Sequence, residues 1–539
     1  MATAPALESK APERPTWIRH GAALAPACLA AALVYGNALG TFFTPDDIVS
    51  LSRAAGLEPT PLTFRPLSAV LASRIEYATF GLAPLGYHAV NFMLHLVNVV
   101  GVYALALRLS GRSGLAQAAS ILFATSGIAF TPLHWASGIG DLLACGLLLG
   151  ATLLHLQARS SGRPTFRWAA ALVAFAAALA KETAIAWPLV IAALEWRGGF
   201  RPTQPREEGS TLRQRLVPAG AMGLATFLWV NVSRVVPGTD PAYALSIAPG
   251  HLARNLGTYV WWCVGIGSPI RDAVAAVDPK VWPTGLVVAG AIVASLRLQR
   301  REQPRLFEVG VAWLFAFLLP VLPLAHHTYL YYLYIPWVGG AVSAAALGAR
   351  AMSALPKRMM SASPQRIVVP IALAAFVAIE GRNVAFRERA TFDALPVDRT
   401  MRDAMLLSHA LPALLEAGLP PGTRVGFVNP APRPSLDVIT GMPTREVDRA
   451  QRTSYYPLEA VMMEGKTLHL FVPGLAYAGF DRTIPPGWED VECFLFEQRG
   501  YLRRWGRGRD ALKRQAEYLA SMGRQPEGEP TVPSARTVP

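Results

Sequence analysis

Two adjacent carboxylates, Asp46 and Asp47, stand in the stretch "TFFTPDDIVSL" just beyond the first long apolar run. Two such groups at a bilayer surface cost desolvation and mutual repulsion, so a chain that places them there has a use for them. A carboxylate in that position can take the proton of an attacking acceptor hydroxyl. An Asp after Pro45 also suits the start of a helix through "IVSLSRA", and both readings stay open. The same connection, 41–86, carries Arg65 in "TFRPLS" and an apolar run from Leu67 to Phe80 that can lie in the interface.

Further along, "AKETAIAWP" sets Lys181 and Glu182 at a helix entrance. There the lysine can neutralise a phosphate and the glutamate orient it, or the two can form a surface ion pair worth little. His88, Asn91 and His95 in "GYHAVNFMLH" recur at i, i+3 and i+7, on one helix face. That spacing is poor for metal ligation and good for interhelical hydrogen bonds. His326 and His327 open "HHTYLYYLYIP", and Arg234, Arg254 and Arg271 precede it; these suit a lipid phosphate or an ordinary aromatic belt. Cys28, Cys145, Cys263 and Cys493 form neither a C-x-x-C pattern nor a disulfide framework, so no zinc is expected. Paired carboxylates can hold Mg²⁺ or Mn²⁺ near a phosphate, but the expectation is that no metal or other cofactor is obligatory.

The elements that must hold these residues are apolar helices. Of the 539 residues 52% are hydrophobic and only 16% charged, with repeated apolar runs of about 20 residues, as in a polytopic helical membrane protein. Spans are expected near 18–40, 87–107, 114–133, 140–157, 167–180, 183–196, 215–235, 282–296, 306–325, 329–349 and 366–384, about eleven in all. The net charge of +14 could signal nucleic acid, but the Lys and Arg residues sit mostly in alternate short connections, where they set orientation. From Lys10, Arg14 and Arg19 onward, the basic connections are those holding Arg108 and Arg112; Arg159, Arg163 and Arg167; Arg197 to Arg215; Arg297 to Arg305; and Arg350 to Arg366. This bias puts the N-terminus in the cytoplasm, the carboxylate pair on the far side and no nucleic acid among the partners. The first span lacks a clear cleavage site and reads as a retained signal anchor. The stretch 250–275 reads as an interfacial or re-entrant helix, with Trp261 and Trp262 at headgroup depth.

Four regions follow: a disordered cytoplasmic tail at 1–16, a transmembrane domain at 17–385, an extracytoplasmic α/β domain at 390–525 and a disordered tail at 526–539. In the α/β domain, Arg424 to Asn429, Thr467 to Pro473 and Glu492 to Gln498 read as strands, and 401–417 as a helix. A last helix, Asp510 to Met522, can dock on the domain or touch lipid headgroups, docking being the plainer reading.

Taken in order, "DDI", "FRPLS", "GYHAVNFMLH", "WASGIGDLL", "LAKETAIAWP" and "YLYIP" resemble the membrane region of GT-C fold glycosyltransferases, above all the tetratricopeptide-containing O-mannosyltransferases and their bacterial relatives. The resemblance runs from about Phe43 to Pro336 and implies an all-α polytopic GT-C-like domain, in a bacterium the inner membrane. It further implies a polyprenyl-phosphate-linked sugar as donor and transfer to a glycan, lipid or protein acceptor on the extracytoplasmic side with inversion. By the same resemblance an acidic residue of the first external loop is the base, which lands on Asp47 or Asp46, with Asp47 preferred. Lys181 becomes the leading cation for the leaving phosphate, and Arg65, His88, His134, Asp141, Glu182, His326 and His327 become substrate-binding candidates. The chain departs from the pattern at Thr131, where an acidic residue is expected, and at Ile139 and Tyr331, where arginines are; it carries no tetratricopeptide repeats. The alternatives are a non-catalytic relative that binds a lipid-linked glycan or an assembly partner and, third, a transporter, against which the absence of an internal repeat speaks.

Overall fold

The computed structural model describes residues 16–61, 65–196, 211–233, 244–266, 268, 280–297, 306–354, 363–392, 395–429, 461–497 and 500–522. Both expected tails, Arg234, Arg271 and much of the basic clusters around 201, 301 and 358 lie outside the described residues. The helices are α1 (Thr16–Tyr35), α2 (Pro45–Ala54), α3 (Ser73–Phe80), α4 (Pro84–Ser110), α5 (Ser113–Thr125), α6 (Phe130–His134), α7 (Ile139–Ser161), α8 (Thr165–Ala180), α9 (Trp187–Trp196), α10 (Leu212–Ser233), α11 (Pro249–Val264), α12 (Val281–Arg297), α13 (Leu306–Leu318), α14 (Tyr334–Ala354), α15 (Ser363–Arg389), α16 (Arg399–Glu416), α17 (Lys466–Phe471) and α18 (Gly508–Met522). Two compact units emerge: Met1–Thr41 with Thr60–Arg389, and Phe42–Pro59 with Ala390–Pro539.

The first unit is helical, with a helix at each of the eleven expected positions. Among the described residues six stretches are long and apolar enough to cross a bilayer: His20–Gly40, Pro84–Ser110, Ala136–Ser161, Leu212–Ser233, Leu330–Ser353 and Ile367–Arg389. The pair Ser113–Thr125 and Gly127–His134, bent by 43°, makes a seventh if taken as one span. Thr165–Ala180, Val281–Leu296 and Leu306–Leu318 are apolar but shorter. At 1.5 Å per residue, α13 is only about 20 Å long, against about 30 Å of hydrocarbon. Length, rather than apolar character, separates this count from the expected eleven.

Small residues let the helices approach closely, as in lipid, where packing rather than water drives association. α8 turns Ala170, Ala174, Ala177 and Ala178 inward. α11 and α12 cross so tightly that a Cβ on Gly285 would lie 1.8 Å from the Gly257 carbonyl oxygen. Trp262, expected at headgroup depth, is buried, with its ring 5.4 Å from Tyr259.

Polar contacts collect at two ends of this bundle. At one, Arg108 at the end of α4 donates to Gln157 and Ser160 at the end of α7, while Glu195 of α9 accepts from His155 at 2.8 Å and Arg215 of α10 at 3.0 Å. At the other, the first turn of α7 meets the residue after α8 through Asp141 and Lys181. Asp141 and His155 lie about 21 Å apart along α7, most of a hydrocarbon thickness. Among the described residues, Arg108, Arg159 and Arg215, from three of the basic connections, make their contacts at the His155 end.

In the second unit a four-stranded sheet has the order β4-β3-β5-β6, with β3 (Arg424–Val428), β4 (Ala476–Asp481), β5 (Glu492–Phe496) and β6 (Leu502–Gly506); β1 (Thr391–Phe392) and β2 (Leu395–Pro396) pair separately. β3 runs parallel to β4 and β5, and β6 closes the edge antiparallel to β5. β3 and β5 match two of the expected strands. The third, Thr467 to Pro473, is instead largely helix α17. Its alternating pattern misleads because Thr467, Leu468 and Leu470 are all buried, and a short apolar run buried on both sides has no diagnostic period.

Candidate active site

α2 opens with a reciprocal cap. Thr44 is its N-cap and Pro45 occupies the first turn, where a missing N–H costs nothing. Asp47, at the third helical position, accepts from the Thr44 backbone N–H at 2.8 Å and from Thr44 Oγ1 at 2.9 Å, both on Oδ2. Asp47 is buried while its neighbour Asp46 is exposed. The expected helix start is real, with Thr44 rather than Asp as the cap. α2 packs within the second unit on α17, and Phe42 and Phe43 flank Phe471 at 6.0 and 6.3 Å.

In the first unit Lys181 and Glu182 do not pair with each other. Lys181 Nζ donates to Asp141 Oδ2 at 2.9 Å, and Glu182 accepts two hydrogen bonds from Arg65, at 2.8 and 2.7 Å. Lys181 and Asp141 are both buried. The ammonium also lies 5.6 and 5.4 Å from the ring centroids of Tyr331 and Tyr332, within cation–π range. Burial alone would raise the Glu182 carboxyl; the charge and hydrogen bonds of Arg65, with Lys181 beside it, outweigh that and hold it at about 2. The fork-to-fork clamp therefore persists across the physiological range.

The backbone around Arg65 is unusual in a telling way. Its φ of 44° and ψ of 59° place a non-glycine residue in the left-handed region, and it caps a π-helix, Pro66–Ala72. Both features cost energy and concentrate where a side chain must be aimed. Ser68 Oγ on that turn donates to the Ala180 carbonyl at 2.7 Å, fixing it to the end of α8.

The remaining candidates divide. His88 Nδ1 bonds the Leu133 carbonyl at 3.0 Å, and Asn91 donates to Trp135 O at 2.7 Å, so this polar face of α4 holds the loop before α7. His95 completes it with Tyr334 and Ala124, the interhelical role its spacing indicated. His134 is wholly buried, bonded to Phe130 O at 2.8 Å and Glu388 at 3.2 Å, an anchor to α15 that sequence reading missed. His327 sits 5.1 Å from Tyr329, which stacks on Tyr331, and Trp135 reaches Tyr331 at 5.5 Å; His326 is exposed. Tyr331, at the position where the resembled family has arginine, is thus part of an aromatic wall beside Lys181. Among the described residues no three His, Cys, Asp or Glu side chains gather as metal ligands, and none of the four cysteines is in a disulfide.

No protein-family model matches the chain. Over 322 residues it is 30% identical to Protein O-mannosyl-transferase Tmtc2 of Drosophila melanogaster, covering 53% of this chain and 33% of that protein. Over that stretch the chain is similar to the protein O-mannosyl-transferases. Tmtc1 of the same organism is 34% identical over 189 residues, covering 30% of this chain and 21% of its own length, and human TMTC1 is 29% identical over 206 residues, covering 31% and 23%. The chain thus spans a third or less of the length of those transferases. Similar solved structures include the Archaeoglobus fulgidus oligosaccharyltransferase tethered with an acceptor peptide, with TM-score 0.44, 13% identity and coverage of 79% of this chain and 64% of that one. ArnT from Cupriavidus metallidurans bound to undecaprenyl phosphate gives TM-score 0.42, 14% identity and coverage of 80% and 86%.

Proposed function

We propose that the protein is an integral membrane glycosyltransferase of the GT-C type, with about eleven crossings, that moves a sugar from a polyprenyl-phosphate donor to an acceptor on the extracytoplasmic side. The observation that carries this reading is the pairing of Lys181 with Asp141 and of Arg65 with Glu182: three of the segments that resemble the transferases, far apart in sequence, meet there. In the proposed reaction the acceptor hydroxyl attacks the anomeric carbon and gives its proton to Asp47. The bond from that carbon to the phosphate oxygen breaks, its electron pair leaves with the polyprenyl phosphate, and configuration inverts. The leaving phosphate needs charge rather than a proton, and Lys181 supplies it.

The direct test is mass spectrometry of lipid-linked sugars and surface glycans in cells lacking the protein. A donor that accumulates beside a matching missing glycan, rescued by wild type, is the expected result and identifies the sugar. An unchanged profile overturns the transferase and favours a binding or assembly role, to which Thr131, Ile139 and Tyr331 lend weight.

The orientation has its own test. The charge bias of the sequence supports placing the residues after the last helix outside, so a reporter fused after Arg387 is expected to be active only outside the cytoplasm. Cytoplasmic activity would reverse the placement of every residue assigned to the reaction.

A further inference from the structure

α18 uses its surface in two ways. One face docks on the sheet: Ala511 is fully buried, the Ile484 N–H donates to Gln515 Oε1 at 2.7 Å, and the Tyr518 ring lies 5.9 Å from Trp505. The neighbouring face is apolar and open. Leu512, Ala516 and Leu519 follow one another at i, i+4 and i+7, and the leucines remain 49% and 40% exposed. Arg509 and Lys513, both exposed, border that stripe. At 3.6 residues per turn the carboxylates of the helix, Asp510 and Glu517, fall on the far side, as does Arg514, which is tied to the Arg504 carbonyl at 2.8 Å.

An apolar stripe edged by cations, with carboxylates turned away, suits a helix lying in the interface of an anionic bilayer. A soluble partner could cover two leucines, but this chain brings a bilayer with it in its own apolar helices. We propose that the Leu512–Leu519 stripe rests in the bilayer interface, with Arg509 and Lys513 on anionic headgroups. The exposed leucines and the one-sided charge carry this independently of the transferase reading.

The test uses the full chain with Cys28→Ser, which removes the one described cysteine that is not buried. An environment-sensitive fluorophore is placed at Leu519→Cys, or at Glu517→Cys on the far side. Each protein is set in nanodiscs of phosphatidylcholine with brominated acyl chains, with and without phosphatidylglycerol. Quenching at position 519 is expected to exceed that at 517 by about twofold or more. It should rise with phosphatidylglycerol and fall in Arg509→Glu/Lys513→Glu. Equal quenching at the two positions, none at 519, or no response to lipid charge overturns the proposal, the last two pointing to a protein partner or second copy over the leucines. Because no step reads sugar transfer, an inactive transferase leaves the result interpretable.

Discussion

Asp47→Asn is expected to lower sugar transfer by about a thousandfold or more, in the upper part of the range for removal of a catalytic base, while the protein folds as before. The cap explains why this substitution separates chemistry from fold. Both Thr44 donors meet one Asp47 oxygen, and the Asn side-chain carbonyl can accept the same two bonds. What is lost is the negative charge at a helix N-terminus, worth about 0.3–1 kcal/mol, and the ability to take a proton. Asp47→Ala would add the loss of the cap, about 1 kcal/mol, and so confuse the two effects. Asp46 is exposed, and Asp46→Asn, made in parallel, tells which carboxylate of the pair the reaction uses. Transfer is read in membranes with lipid-linked donor, and folding by thermal unfolding and size-exclusion behaviour. Full activity in Asp47→Asn would leave the residue a structural cap and move the search for a base to Asp46 or Asp141.

How far the sequence could be read depends on the range of the interaction. Apolar runs and basic connections are local patterns, and helices stand at each expected position because an apolar run in lipid must satisfy its backbone within itself. The His88, Asn91 and His95 face was legible as a local pattern too. Partner choice was not. Lys181 finds Asp141 40 residues away, Arg65 finds Glu182 117 residues away, and His134 finds Glu388 254 residues away. No spacing rule reaches that far. The left-handed Arg65 was equally hidden, since its backbone is set by a tertiary clamp rather than by a glycine. The same limit applies to Phe42–Pro59, which groups with the C-terminal residues although the chain runs it between the first two spans. α17 shows the converse failure, where a pattern was present and its burial on both sides made it ambiguous.

Lys181→Met is the second large effect expected, on stability and on transfer together. It leaves Asp141 buried with its cation gone, and removing one partner of a buried pair costs about 3–5 kcal/mol. Tyr331 and Tyr332 beside the lysine carry no positive charge to take the place of the ammonium. An inactive Lys181→Met protein would therefore say little alone, since it could be inactive because it is unfolded. Adding Asp141→Asn removes the stranded charge. The double variant is expected to recover most of the lost stability while transfer stays at background, because the charge that meets the leaving phosphate is absent in both. Thermal unfolding and transfer, measured across the four proteins of the cycle, separate the two contributions. Tight coupling in stability with none in activity would assign the pair to architecture and the lysine to chemistry. A double variant that transfers sugar like wild type would reduce Lys181 to a structural partner of Asp141 and leave Arg65, released from Glu182, as the cation to test next.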